Sequence, residues 1–253
     1  MDSGLYAVYT GLMARTHALD TAANNLANTG TNGFRAERDY FRGVLASAGA
    51  DGSVAADSQV GSAVNGFGVL GGNQLDMGQG QLQTTGNPLD LAINGAGFFG
   101  LQTKNGVVYT RDGSFSRSTT GVLENSHGEP VLDTKGKPIT VPTGTVRISP
   151  DGSVSVDTPA GSAIVGQVGV FDFTDPSQLS AEGTNRLSAP AGVKPQAGTG
   201  AVEQGAVEGA NEDAIHGTVQ LMLVQRQAEM MQKALGVFSN DMDKTAAETL
   251  PRV

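Results

Sequence analysis

The chain has no cysteine and no tryptophan, and aromatic residues make up only 5% of its 253 positions. Without cysteine it can build no disulfide framework, thiolate metal site or thiol nucleophile. With so few aromatics, buried apolar area must come from valine, leucine, isoleucine and alanine, which predicts a shallow core without a deep aromatic centre. Cations are also scarce: 16 Lys and Arg stand against 25 Asp and Glu, for a formal charge of -9. Phosphate binding needs clustered Lys and Arg, and only Arg35, Arg38 and Arg42 come near to a cluster. No nucleic-acid partner is expected. No apolar run approaches the length of a bilayer span, and MDSGLYAVYTGLMARTHALD lacks the basic and apolar regions of a cleaved signal. Membrane insertion is not expected, and export would have to proceed without a cleaved signal peptide.

Glycine is what the chain has in excess, with 36 residues, about twice the usual ~7% share. Many turns follow from that. Between them, hydrophobic patterning divides the chain. Leu5, Tyr9, Leu12, Thr16, Leu19, Ala23 and Leu26 recur at alternating spacings of four and three, the pattern of a heptad seam. They predict a helix from about residue 4 to 27, about 36 Å long at 1.5 Å per residue. The same spacing joins Ala214, Gly217, Leu221, Val224, Ala228, Met231, Leu235, Phe238 and Met242, predicting a helix over about 212–246. Asn211 suits its N-cap, with Glu212 and Asp213 favoured by the helix dipole. Further apolar residues at Val219, Met222, Leu223, Met230, Ala234 and Val237 widen this helix's apolar surface, so it needs more than one neighbour.

From about residue 76 to 205 the pattern switches to alternation between turn signals. Leu89, Leu91 and Ile93 line one face of LDLAI, and Val146 and Ile148 pair with Val154 and Val156 across Asp151-Gly152. Asn105-Gly106 and Asp112-Gly113 suit further tight hairpins. The expected fold class is α+β, with long N- and C-terminal coiled-coil-like helices flanking a central antiparallel β-rich domain. Residues 1–32 and 211–253 form the helical ends, 33–75 an arm or linker, 76–205 the β domain and 206–210 the return connection. Within the arm, the small-residue stretch 46–72 reads as extended or flexible.

Catalytic constellations are sparse. Gly95, Gly97 and Gly100 satisfy G-x-G-x-x-G, but nucleotide binding by that motif needs a helix to start at the glycines. LQTKNGVVYTRDG follows instead and reads as a hairpin. His17, His127 and His216 lie in separate segments without ligand-like spacing. The acidic residues sit mostly at turns, where they bond local backbone. No cofactor, metal or catalytic residue is expected, although two distant carboxylates could still form a glycosidase pair.

ANNLANTGTNGFR, from Ala23, puts a helix stop at Asn28, Thr29 and Gly30, since Asn and Gly tolerate the left-handed conformation that closes a helix. Asn24 and Asn25 are poor helix-interior residues whose amides could form cross-helix bonds that fix register. Phe34, Tyr40 and Phe41 follow as aromatic anchors beside the three arginines.

ANNLANTGTNGFR closely resembles the N-terminal signature of the bacterial flagellar rod and hook proteins. The resemblance continues through QGQLQTTGNPLDLAINGAGFF, YTRDGSFSRSTTGVLENSHGEPVL, ISPDGSVSV and QGAVEGAN, in family order and across nearly the whole chain. Within the family, MDSGLY and the modest length are most similar to the proximal rod members, with the distal rod members as rivals. One departure lies after QG-x-x-E, where the family continues Ser-Asn-Val and this chain has Gly209, Ala210, Asn211 and Glu212. The resemblance implies a non-enzymatic component of the basal-body rod in the periplasm, exported by the flagellar type III apparatus. It would self-associate and join other rod proteins in a helical tube that transmits torque. The assembly interface expected on that basis comprises Leu5, Tyr9, Leu12, Leu19, Asn24, Asn25, Leu26, Asn28 and Phe34 with Leu221, Val224, Ala228, Met231, Leu235, Phe238 and Met242. The alternatives are a secreted cell-wall enzyme or a carbohydrate-binding module.

Overall fold

The computed structural model describes residues 2–42, 69–159 and 161–249. Most of the expected arm, residues 43–68, lies outside the described residues. The chain divides into two compact units: Met1–Leu26 with Glu37–Gln74 and Ala214–Val253, and Ala27–Ala36 with Leu75–Asp213.

The second unit is built from short antiparallel strands. Its largest sheet orders Ser180–Ala181, Arg186–Ser188, Gly106–Thr110, Phe98–Thr103, Val170–Asp172 and Gln196–Ala197. A three-stranded sheet orders Gly161–Gln167, Ser153–Thr158 and Thr145–Ile148. Asp151-Gly152 turns its last two strands back on each other, with Gly152 at φ 82, so that Val154 opposes Ile148 and Val156 opposes Val146. All four side chains are buried, because successive residues of a strand face opposite sides and every second one here is apolar. Leu91–Asn94 pairs with Ala201–Gln204, and Leu82–Thr84 with Ala206–Glu208. These two pairings bring the late chain back onto the start of the unit.

The main core joins Leu91, Ile93, Phe99, Leu101, Leu123, Val131, Val154, Val156 and Val168. Strand Phe98–Thr103 is covered on both sides, since Phe98 belongs to a second cluster with Tyr109, Phe173, Leu179 and Leu187. That cluster departs from the expected aliphatic core: Tyr109 and Phe173 meet edge to face with ring centroids 4.8 Å apart. Six of the 13 aromatics fall within residues 98–115 and 171–173, a local clustering that sequence totals do not reveal.

As the hairpin reading implied, Gly97 and Gly100 begin no helix, and Phe98–Thr103 turns back onto Gly106–Thr110; a Cβ at Gly97 would lie 2.5 Å from Val170 Cγ1, and one at Gly100 2.6 Å from the Phe171 ring. These glycines let strands and rings close together. Gly113 has no positive φ, and a Cβ there would lie within bonding distance of the Leu91 carbonyl oxygen, so Asp112-Gly113 is a close backbone approach rather than a hairpin turn.

In the first unit, helix α1 spans Asp2–Ala27 and helix α2 spans Ala214–Thr249, and Glu37–Arg42 pairs with Val69–Leu75. The expectation of coiled-coil-like flanks is overturned. The structure has one N-terminal and one C-terminal helix around a strand-rich middle. The physical reason lies on α1. Its buried face is Gly11, Ala14, Ala18, Thr21, Ala22 and Asn25, shifted from the apolar seam, while Tyr9 is 57% exposed and no described seam residue is buried. Knobs-into-holes packing needs the seam side chains to be the buried ones. Nor is α1 closed by a left-handed residue: the Thr31 amide donates to the Asn28 carbonyl at 3.0 Å, and Gly33 is the first residue at positive φ.

Candidate assembly interface

Helix α2 carries two apolar stripes. Gly217, Val224 and Ala228 are buried, and Leu221, Met231 and Leu235 are half-buried. Their spacings of four and three keep them on one side of a helix with 3.6 residues per turn. Gly217 sits against α1, where a Cβ would come 3.3 Å from Leu26 Cδ1. On the opposite side stand Ile215, Val219, Met222, Met230 and Val237, all exposed, with Leu223 beside them. The exposure of Ile215 reaches 78%. Arg226 and Lys233 fall on the same outward stripe, so the stripe is mostly apolar with two cations.

On α1 the large exposed apolar residues are Tyr9 and Met13, one turn apart. Its covered side meets Glu37–Arg42 through polar contacts. Asn25 Nδ2 donates to the Glu37 carbonyl at 2.8 Å, and Asn25 Oδ1 accepts from the Glu37 amide at 3.0 Å. One carboxamide thus replaces a strand partner for Glu37. The expected cross-helix bond of Asn25 is therefore a helix-to-strand bond. Beside it, Thr21 Oγ1 donates to Asp39 at 3.3 Å, and His17 Nδ1 lies 3.4 Å from the same carboxylate. Thr21, Asn25, Glu37 and Asp39 line a small groove with Ala18, Ala22, Gln220 and Val224, about 110 Å³ in volume.

Measured against the expected interface, the structure separates the residues. Leu221, Val224, Ala228, Met231 and Leu235 share the inward stripe of α2, while Leu12, Leu19 and Leu26 are half-buried and Asn24 is exposed. Asn28 accepts from Thr31 at the end of α1. Phe34 is only 4% exposed within the β unit, so its ring serves its own chain rather than offering an open anchor. The side chains of Leu5, Phe238 and Met242 lie outside the described residues. Met13 and Ile215 are the outward residues that the heptad reading passed over. Their signal is that both are large apolar residues off the seam.

Residues 33–36 lead from α1 into the β unit and end at a buried ionic cluster. Glu208 is fully buried. Its Oε1 accepts from Arg35 Nη2 at 2.6 Å and from the Gly80 amide at 2.8 Å, and its Oε2 accepts from Arg111 Nη1 at 2.9 Å. Arg111 also donates to the Ile93 and Gly95 carbonyls and lies over the Phe98 ring, 5.2 Å from the centroid. Burial pushes the Arg111 pKa below its ordinary value, opposed by the Glu208 carboxylate and reinforced by Arg35.

The same regions carry the likeness to known proteins. Residues 5–35 match the family model described as flagella basal body rod protein, and residues 92–156 match the flagellar hook protein FlgE/F/G D1 domain. The flagellar basal-body rod protein FlgF of Caulobacter vibrioides is 33% identical over 256 residues, covering 100% of both chains. The chain belongs to the flagellar basal-body rod protein family. Another rod protein of the family, FlgG of Bacillus subtilis, is 33% identical over 88% of this chain and 89% of its own. FlgF of Salmonella typhimurium is 33% identical over 91% of this chain and 92% of its own. The family is structural, its place is the flagellar basal body, and its members assemble with other rod components. Within it this chain is FlgF-like, a match that runs end to end. No helix among the described residues is long and apolar enough to cross a membrane.

Proposed function

We propose that the chain joins the rod by burying the outward stripe of α2, with Tyr9 and Met13 of α1, against neighbouring subunits. The observation that carries this reading is a helix apolar on two opposite sides, of which its own chain covers one. Exposed apolar residues scattered singly need no explanation, but five or more along one side of a helix do. Each large side chain buried on assembly contributes about 1.5–3 kcal/mol before the entropic cost of association. Several such residues per subunit, repeated around a tube, suffice for cooperative assembly. Arg226 and Lys233 on the stripe favour acidic counterparts, which a chain of charge -9 has in excess. Torque passes along such a tube because each subunit is tied to several others.

Export by the flagellar type III apparatus without a cleaved signal, a periplasmic position and a place in the proximal rod complete the reading, supported by the family and the FlgF-like match. The test is Met222→Asp and Met230→Asp in the full chain. Neither side chain is covered within its own unit, so the β unit should fold and the subunit should be exported while basal bodies lack a complete rod. Complete rods at wild-type number in both variants would overturn the proposal. A tag at the exposed turn residue Gly183, located by electron microscopy of basal bodies, separates proximal from distal placement.

A further inference from the structure

The chain crosses between its two units after Leu26, Ala36, Gln74 and Asp213. Residues next to three of those crossings meet within the β unit. Asn211 Oδ1 accepts from the Ala36 amide at 2.8 Å, and its Nδ2 donates to the Asp76 carbonyl at 2.7 Å and the Gly78 carbonyl at 3.1 Å. The Asp76 amide donates to the Ala36 carbonyl at 2.8 Å, and the Asn211 amide to the Phe34 carbonyl at 3.3 Å. Asn211 therefore does not cap α2, which starts at Ala214. Its side chain is spent on two other segments of backbone.

We propose that Asn211 is a positioning residue: a three-way clamp that fixes where the paired arm strands and helix α2 leave the β unit. The chemistry fits asparagine alone among short side chains, since the clamp needs one acceptor and two donors on a single planar group. Aspartate would keep the bond from Ala36 but set an oxygen against the Asp76 and Gly78 carbonyls. Alanine would release all three. Glu208 anchors the clamp from behind, holding Arg35 and Gly80 on the same two segments while its carbonyl accepts from the Gly33 amide at 2.7 Å. The clamp closes only when residue 211 reaches residue 36, across 175 positions. A chain delivered from its N-terminus would therefore fix these exits last.

The inference goes beyond the assembly reading, because the clamp can be measured on the free subunit. Hydrogen exchange on full-length Asn211→Ala should show the Ala36 and Asp76 amides exchanging at least about tenfold faster, with the Leu101 and Val156 amides unchanged. In Asn211→Asp the Asp76 amide should loosen more than that of Ala36. In cells producing normal levels of Asn211→Ala, completed rods should fall although the β unit keeps its melting temperature. Wild-type exchange at Ala36 and Asp76 would overturn the clamp, as would an equal acceleration at Leu101 and Val156. Local opening with normal rods would overturn the positioning role. Failure of the stripe variants alone to affect rods would count against the assembly reading and leave the clamp standing.

Discussion

Replacing Glu208 with glutamine tests whether the buried ionic cluster holds the β unit together. The substitution keeps the shape and removes the anion from between two buried guanidinium groups. Glutamine offers one oxygen and one NH2, whereas Glu208 presents acceptors on both sides, to Arg35 and Gly80 at one oxygen and to Arg111 at the other. The less costly rotamer turns the NH2 toward Arg111 Nη1, setting donor against donor. That loses one charge-assisted bond, worth about 1.5–3 kcal/mol, and leaves Arg35 and Arg111 without their anion. Breaking one partner out of a buried ionic group costs about 3–5 kcal/mol in total. At a urea m-value of about 2 kcal/mol/M, the unfolding midpoint should drop by about 1.5–2.5 M. Far-ultraviolet circular dichroism and tyrosine fluorescence would follow the transition. Glu203→Gln is the control: its exposed carboxylate lies in the strand paired with Leu91–Asn94, and its effect should stay within about 0.5 kcal/mol. A loss below about 1 kcal/mol in Glu208→Gln would refute the reasoning.

Two further substitutions probe backbone and titration effects. Gly33 has φ 69, and an added Cβ would fall 2.2 Å from the Asp112 amide nitrogen; Gly33→Ala should cost at least about 2 kcal/mol in urea melts, combining left-handed strain with a backbone clash. Gly106 has φ 136 and nothing within 4 Å of its Cβ position, so Gly106→Ala should cost strain alone and be milder; equal losses would show the clash at Gly33 is relieved by movement. Burial raises the Tyr109 phenol pKa above its ordinary value, so the unfolded phenol ionises first. Stability from this group is intact below about pH 10 and falls as pH rises through the folded pKa. Wild-type stability should therefore decline relative to Tyr109→Phe above about pH 10, and parallel curves from pH 8 to 11 would contradict the burial.

The strand-rich middle is readable from sequence because its signals agree: β-branched residues alternate at Val146, Ile148, Val154 and Val156, and Asp151-Gly152 supplies the turn. Gly152 at positive φ and four buried side chains follow from that agreement. Helix α2 is readable in part, because its inward stripe is the 3,4 pattern itself. Helix α1 misleads for a definite reason. Close packing of a helix onto polar backbone favours small side chains, so its covered face is made of Gly11, Ala14, Ala18 and Ala22, with Asn25 bonding Glu37. Hydrophobicity weighs such residues lightly and ranks the outward Tyr9 and Met13 above them. Asn211 misleads differently: a cap and a clamp use the same carboxamide, and only the distant partners Ala36 and Asp76 distinguish them. Glu208 carries no local sign of burial, since Arg35 and Arg111 reach it from 173 and 97 positions away.

The outward apolar residues of the helices have a bearing on function. Periodicity reports which residues are apolar, and in a monomer those residues are expected to be inside. A subunit that completes part of its core with neighbouring subunits, as proposed for α2, breaks that expectation. On α2 the covered side carries Leu221, Val224 and Ala228, and the exposed side carries Ile215, Met222 and Met230, which the proposal assigns to assembly. They can be separated by experiment. Aspartate at Val224, which is 6% exposed, buries a charge in the subunit itself and should weaken the helical unit before any assembly, lowering its helical signal in the free protein. Aspartate at Met230 should leave the free protein's circular dichroism unchanged and act only when subunits meet. If both variants behaved alike in the free protein, the inward and outward stripes would not be distinct surfaces, and the argument that α2 serves its own chain on one side and the rod on the other would fail.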